Sequence, residues 1–148
     1  MSAPQLMSID RIQETFEFLT EWEDRYNFII ELGDQLAGLD KSLKTDANKV
    51  KECMSNAWIT AELVWNADHT AQVMQLQGDS DNNIIKGIVA ILVVIYSGKT
   101  PQQALAIDTD GIFSEWRLYD HLSPNRHVGV YAMVQRINRL ATALAGAA

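Results

Sequence analysis

The N-terminal part of the chain repeats apolar residues at every third or fourth position. Ile9, Ile12, Phe16 and Leu19 keep this spacing, and further apolar residues continue it toward Leu36. Such a period places the apolar side chains along one side of a helix. The pattern therefore predicts a helical segment over residues 9–36.

Two segments in the middle of the chain have the composition and alternation of β-strands. Residues 59–65 are rich in β-branched and aromatic side chains, and residues 73–77 alternate apolar with polar positions. Residues 66–70, Asn-Ala-Asp-His-Thr, are typical of a loop between paired strands. A hairpin is therefore predicted, and Cys53 lies just before its first strand, in a loop.

The rest of the chain is predicted to be mostly helical. Residues 78–81 are expected to end the second strand, with Ser80 or Asp81 capping the next helix. Gly87 lies inside that helix, which it weakens, so a close helix–sheet contact is expected there. The predicted helices run to about residue 98, open at 100–101, cover 110–116, and extend from 123–124 to about 144. The fold class is α+β, one domain over residues 1–148, with a small antiparallel sheet and helices packed on one of its faces.

Composition and charge exclude several classes of function. The formal net charge is −7, and the 12 basic residues are scattered, which argues against a nucleic-acid partner and against docking on an anionic membrane. The longest apolar run, residues 88–95, is far too short to span a bilayer. A single cysteine and the lack of a signal-peptide pattern predict a reducing, cytoplasmic location.

Cys53 is the candidate for chemistry, because a lone thiol can act only as a nucleophile or pack as a small apolar side chain. Lys51 would lower its pKa and Glu52 would raise it, and the sequence leaves that balance open. A Cys–His hydrolase using His69, His121 or His127 has no supporting local signature. A metal site built on Cys53, histidine and aspartate matches no recurrent ligand spacing.

Arg126 is the second unusual position. Ser123 or Asn125 can cap the final helix with Pro124 in its first turn, and this puts Arg126 where the helix dipole disfavours a cation. A residue placed against its local preference indicates a specific partner. The partner is either an acidic side chain or a functional site, and both remain open.

Four segments, in order, resemble the SufE family of sulfur-acceptor proteins. The resemblance spans roughly residues 16–142. The matching segments are residues 26–36, residues 48–58 with the pattern Val-x-x-Cys-x-Ser-x-x-Trp, residues 78–101, and residues 121–129 with His-Leu-Ser-Pro-Asn-Arg. Each motif is short, but four in register are hard to produce by chance.

Several positions depart from the family pattern. Glu52 and Met54 stand where the family usually has Gly and Gln around the cysteine, and Asn82 replaces the usual Ala. Val128 replaces an Asn between the arginine and Gly129. These departures concern loop flexibility, thiol pKa and partner preference, and they leave the nucleophile in place.

The resemblance implies a SufE/IscU-like fold and a transpersulfidation reaction. Cys53 would accept sulfur from the persulfide of a pyridoxal-phosphate cysteine desulfurase, SufS-like or CsdA-like, stimulate its turnover, and pass the sulfur to a cluster-assembly scaffold. Arg126 would support the anionic sulfur or the partner, and Asp81 would fix loop or cap geometry. Met54 and Trp58 would shelter the persulfide. The chain would need no cofactor or metal of its own, because the pyridoxal phosphate belongs to the desulfurase.

Two other functions remain as alternatives. A non-catalytic adaptor would activate the desulfurase by binding alone. A cluster scaffold would need several thiolates to hold iron, and one cysteine argues strongly against it. The implied activity is thus a sulfurtransferase-like relay rather than that of a stand-alone enzyme.

Overall fold

The computed structural model describes residues 6–147, except for the side chains of His121 and Ala147. It has the predicted α+β architecture, with a two-stranded antiparallel sheet and helices. The elements are α1 (Ile9–Phe18), α2 (Trp22–Gln35), β1 (Ala57–Trp65), β2 (Gln72–Ser80), α3 (Asn83–Tyr96), α4 (Pro101–Leu105), α5 (Thr109–Glu115) and α6 (Pro124–Ala147). Short 3-10 turns cover Lys41–Leu43 and Leu118–His121. None of the helices in the described part combines the length and apolar character that a bilayer crossing requires.

The N-terminal helical segment is two helices rather than one. The backbone is extended at Leu19, which ends α1, and at Glu21, which precedes α2. The break lets Phe16 of α1 meet Phe28 of α2 edge to face, with ring centroids 5.1 Å apart. Because no glycine or proline marks residues 19–21, no local signal reveals a break that tertiary packing imposes.

The hairpin is longer than its composition predicted. Its register runs from Ala57 opposite Ser80 to Trp65 opposite Gln72, so β2 includes residues that were expected to end it. On the other side of β1, the N–H of Val50 donates to the carbonyl of Ala57 at 2.8 Å. This bond closes residues 51–56 into a tight loop that carries Cys53, which we call the cysteine loop.

Helix α3 forms the centre of the core, packed against α2, β2 and α6. The close contact expected at Gly87 is with a helix and not with the sheet. A Cβ at Gly87 would lie 2.1 Å from the carbonyl oxygen of Ile29 in α2, and one at Gly33 would lie 2.8 Å from the Gly87 nitrogen. Glycine is therefore required where the backbones of α2 and α3 touch.

The cap of α3 is Asn82, and neither Ser80 nor Asp81 occupies that position. The Asn82 side chain accepts hydrogen bonds from the N–H groups of Ile84 and Ile85, both at 3.0 Å. The longer β2 moves the start of α3 beyond Ser80 and Asp81, and Asn82 thus supplies the cap. The expected cap of α6 is confirmed, because Ser123 accepts from the N–H of Arg126.

A buried carboxylate anchors the segment after α2 to the end of β2. Asp79 accepts from the Leu39 N–H at 3.1 Å and pairs with Lys44 at 3.2 Å and Lys86 at 3.6 Å. Burial opposes ionisation, but the backbone N–H groups and the two ammonium groups outweigh it and hold the pKa of Asp79 below its ordinary value. A Cβ at Gly38, whose φ is +80°, would lie 2.7 Å from this carboxylate.

Candidate functional site

Cys53 lies half-buried in the cysteine loop, with its sulfur against the first turns of α6. A Cβ added at Gly129 of α6 would lie only 3.2 Å from the Cys53 Sγ and 4.0 Å from a methyl group of Ile85 in α3. The missing side chain of Gly129 therefore makes the space in which the sulfur packs. The wall on this side is helical backbone and Ile85.

The surroundings of Cys53 disfavour the thiolate at rest. Burial is the largest effect and raises the pKa of the thiol. The backbone N–H of Ser55 opposes it, the Asp81 carboxylate adds to it, and the Lys49 ammonium opposes it, each less strongly. Neither neighbour weighed from the sequence, Lys51 or Glu52, contributes to this balance. The resting thiol is therefore protonated more firmly than an exposed cysteine.

An open pocket of about 310 Å³ joins Cys53 to Arg126. The pocket is lined by Cys53, Met54, Ser55, Ile85, Ser123, Asn125 and Arg126. Two elements far apart in sequence, the cysteine loop and the first turn of α6, thus bring the two predicted residues to one site. No histidine side chain of the described part lines this pocket; the side chain of His121 lies outside that part.

Tyr26 of α2 holds the Arg126 guanidinium. Arg126 donates a hydrogen bond to the Tyr26 hydroxyl, and its guanidinium carbon lies 5.7 Å from the centroid of that ring. Among the described residues, Arg126 forms no ion pair with a carboxylate. Of the two partners considered from the sequence, the acidic side chain is absent, and the cation faces the pocket with its charge unneutralised.

Asp81 fixes the end of the cysteine loop. Its carboxylate accepts from the Asn56 backbone N–H at 3.2 Å and from the Asn56 side-chain amide at 2.8 Å. The Asp81 N–H in turn donates to the Asn56 carbonyl at 3.2 Å. Asp81 does not line the Cys53 pocket, so its contribution is to loop geometry and to the thiol pKa through its charge.

Glu52 holds the loop in a conformation that side chains rarely adopt. Its φ is 68°, in the left-handed region, directly before Cys53. Glycine takes this conformation without steric cost, whereas for a residue with a Cβ it costs roughly 1–2 kcal/mol. A glutamate at this position therefore places backbone strain next to the thiol.

Comparison with known proteins decides the family. The family model described as "SufE: Fe-S metabolism associated domain" matches residues 10–141. The chain belongs to the SufE family. It is 39% identical over 142 residues to an uncharacterized SufE-like protein of Rhizobium etli, covering 96% of this chain and 95% of that protein. It is 38% identical over 132 residues to another from Rhizobium meliloti, covering 89% and 93%.

A solved structure supports the fold of this SufE-family chain. The solution structure of a hypothetical protein from Thermus thermophilus superimposes with a TM-score of 0.70 and covers 90% of this chain and 92% of that one. Its sequence identity is 17%, so the likeness concerns the fold alone. Family membership associates the chain with iron–sulfur metabolism.

Of the two residues expected to shelter a persulfide, Met54 lines the Cys53 pocket and Trp58 does not. Met54 projects into solvent with 78% of its surface exposed, and Trp58 is half-buried beneath the Lys44 ammonium, 5.5 Å from its ring centroid. Gly129 makes the space that the sulfur occupies, and Ile85 lines the same pocket. The sequence did carry a signal for this packing. Gly129 lies inside the predicted final helix, and a glycine there weakens a helix and indicates that another group packs closely against it.

No group of three or more His, Cys, Asp or Glu side chains in the described part is arranged to hold a metal ion. The three histidines are also not grouped with the thiol as far as they are described. His127 contacts the Tyr119 carbonyl through Nε2 at 2.7 Å, and His69 lies in the hairpin turn. The site therefore offers one sulfur nucleophile and one unneutralised guanidinium.

Proposed function

We propose that this SufE-family chain is a sulfur acceptor that takes persulfide sulfur onto Cys53 from a pyridoxal-phosphate cysteine desulfurase. The observation that carries the proposal is the pocket shared by Cys53 and Arg126. It joins the only thiol in the chain to a cation that has no carboxylate partner among the described residues. Association of the family with iron–sulfur metabolism supports the same direction.

The reaction is an exchange between sulfur atoms without net oxidation. The Cys53 thiolate attacks the outer sulfur of the desulfurase persulfide, and a new S–S bond forms on Cys53. The S–S bond on the desulfurase breaks, and its electron pair leaves with the desulfurase cysteine as a thiolate. The proton lost by Cys53 passes to solvent or to that thiolate.

The resting geometry suits a carrier that reacts only when docked. Burial keeps the pKa of Cys53 raised, so the free protein holds a poor nucleophile that oxidants attack slowly. Moving the cysteine loop out of its seat beside Gly129 removes the burial and favours the thiolate. When the loaded loop returns to its seat, Arg126, held in position by Tyr26, stabilises the anionic persulfide sulfur in the pocket.

Cys53 then transfers its persulfide sulfur to a cluster-assembly scaffold in the cytoplasm. The pyridoxal phosphate stays with the desulfurase, so this chain needs no cofactor of its own for the reaction. Stimulation of the desulfurase follows because removal of its persulfide regenerates the free thiol that starts the next turnover.

Intact mass spectrometry tests the proposal. The protein is incubated with a cysteine desulfurase, pyridoxal phosphate and free L-cysteine, and the same is done with Cys53→Ser. We expect the parent chain to gain the mass of one or more sulfur atoms, reversibly by dithiothreitol, and the variant to gain none. Absence of the added mass with a panel of desulfurases would contradict the proposal.

The same pair of proteins separates a carrier from an adaptor that activates by binding alone. A carrier loses most of its stimulation of desulfurase turnover in Cys53→Ser while still binding. An adaptor keeps its stimulation in that variant. This comparison is needed because the raised pKa makes the resting thiol of Cys53 a poor nucleophile.

A further inference from the structure

Exposed apolar side chains flank Cys53 on both sides. Met54 follows it in the cysteine loop with 78% of its surface exposed, and Val128 and Tyr131 of α6 are 52% and 65% exposed. Val128 and Tyr131 are one helical turn apart, so they share one face of α6. We call Met54, Val128 and Tyr131 the apolar rim.

The apolar rim is tied to the cysteine loop by two pockets. Met54 lines the pocket that contains Cys53 and Arg126. Val128 and Tyr131 line a second open pocket, of about 500 Å³, which also contains Glu52 from the same loop. The reactive residue is therefore bordered by exposed apolar surface on the sides of both α6 and its own loop.

This arrangement is unusual for a surface without a partner. Single exposed apolar residues are common and need no explanation, but their concentration around a reactive group marks an interaction site. Tyrosine and methionine are enriched in the centres of protein interfaces. Solvent exposure of such side chains offers apolar area that a partner can bury.

The charges beside the apolar rim define the partner further. Glu52 and Asp110 line the second pocket, and neither forms an ion pair with a cation in the described part of the chain. Arg126, on the other side of the thiol, is a cation without a carboxylate partner there. A complementary surface is thus apolar at its centre, basic opposite Glu52 and Asp110, and anionic opposite Arg126.

We propose that the apolar rim is the docking surface for the desulfurase and selects which desulfurase loads Cys53. This inference rests on the sulfur-acceptor function proposed above. The matching desulfurase surface carries apolar side chains around its persulfide cysteine and a lysine or arginine that faces Glu52.

The test uses a desulfurase that loads the parent chain in the mass assay. Desulfurase turnover is measured against the concentration of the parent chain, Val128→Asn and Tyr131→Gln. Phe18→Ser is the matched control, because Phe18 is 83% exposed and lines neither pocket. We expect the half-saturating concentration to rise about tenfold for Tyr131→Gln, less for Val128→Asn, with an unchanged maximal rate. The control is expected to match the parent chain.

Ionic strength tests the charged part of the surface. The half-saturating concentration of the parent chain is expected to rise with salt, and Glu52→Gln is expected to weaken that dependence. Circular dichroism establishes that each variant is folded, so that a rise in half-saturating concentration reports on docking. A salt dependence that is the same in Glu52→Gln would contradict the basic contact.

Three outcomes separate the two proposals. If no desulfurase loads the parent chain, the sulfur-acceptor function fails and the docking surface fails with it. If loading occurs but the rim variants keep the half-saturating concentration of the parent, only the docking surface is refuted. If the free chain is a dimer that Tyr131→Gln converts to a monomer without altering that concentration, the rim is covered by a second copy and the proposal is overturned.

Discussion

Replacing Gly129 with alanine is expected to push Cys53 out of its seat and make the thiol more reactive. The added Cβ would lie 3.2 Å from the Cys53 Sγ. Apolar contacts are favourable at about 3.5–4.0 Å, so the sulfur must withdraw by about 0.3–0.8 Å. The helix backbone of α6 cannot move as easily as the cysteine loop, whose preceding residue already has a strained φ of 68°. Withdrawal is therefore expected to occur in the loop.

The size of the expected change in alkylation rate follows from the cause of the pKa shift. Burial is the largest effect that raises the pKa of Cys53, so a sulfur that moves toward water has a lower pKa. For each unit by which the pKa falls, the thiolate population at neutral pH rises about tenfold. The intrinsic nucleophilicity of a thiolate falls about threefold over the same unit. The net gain in alkylation rate is about three- to fourfold per unit.

The assay is the rate of iodoacetamide alkylation as a function of pH, followed by intact mass. Gly129→Ala is expected to alkylate faster at neutral pH and to shift the midpoint of the profile to lower pH. Gly146→Ala is the matched control, because Gly146 lies in the same helix and a Cβ there meets nothing within 4 Å. If both variants keep the parent midpoint, contact with Gly129 does not hold the thiol pKa up and the reasoning is refuted.

Three other substitutions test the local arguments. Glu52→Gly is expected to raise the free energy of unfolding in urea by about 1 kcal/mol, because glycine accepts a φ of 68°, and no gain would contradict strain there. Asp79→Asn is expected to lower the free energy of unfolding by about 2 kcal/mol at neutral pH, because the charged contacts with Lys44 and Lys86 are lost. Because the folded pKa of Asp79 lies below the unfolded value of about 3.9, this stabilisation is present above that value and is lost as the pH falls through the folded pKa. Parent and variant stabilities should therefore converge in acid, and a constant difference would refute the assignment. Gly87→Ala is expected to cost about 3 kcal/mol or more, or to prevent folding, because its Cβ would lie 2.1 Å from a carbonyl oxygen of α2, and a native circular dichroism spectrum with unchanged stability would contradict this contact.

Local patterns predicted the elements whose signals are local. The strands, the loop between them and the Ser123 cap of α6 follow from alternation, turn composition and capping chemistry, and the structure confirms them. The break after α1 and the Asn82 cap of α3 were missed. In both places the outcome depends on packing: Phe16 turns toward α2, and β2 continues past the point where its alternation weakens.

The sequence likewise predicted only part of the candidate site. Residue type alone identified Cys53 as the only thiol and Arg126 as a cation against the helix dipole, because these properties belong to single residues and their neighbours. The sequence did not predict that Met54 lines the pocket while most of its surface stays exposed, since exposure depends on which way a loop folds over the helices beneath it.

The sequence by itself determined the single thiol, the family and the α+β fold class, since these depend on residue chemistry and short-range periodicity. Tertiary structure alone decided that the Cys53 sulfur rests against Gly129 and that Tyr26 holds Arg126 in the same pocket. Tyr26 and Arg126 are separated by 100 positions in the chain. Contacts over that separation arise only when α2, α6 and the cysteine loop pack around α3, and no local pattern encodes that packing.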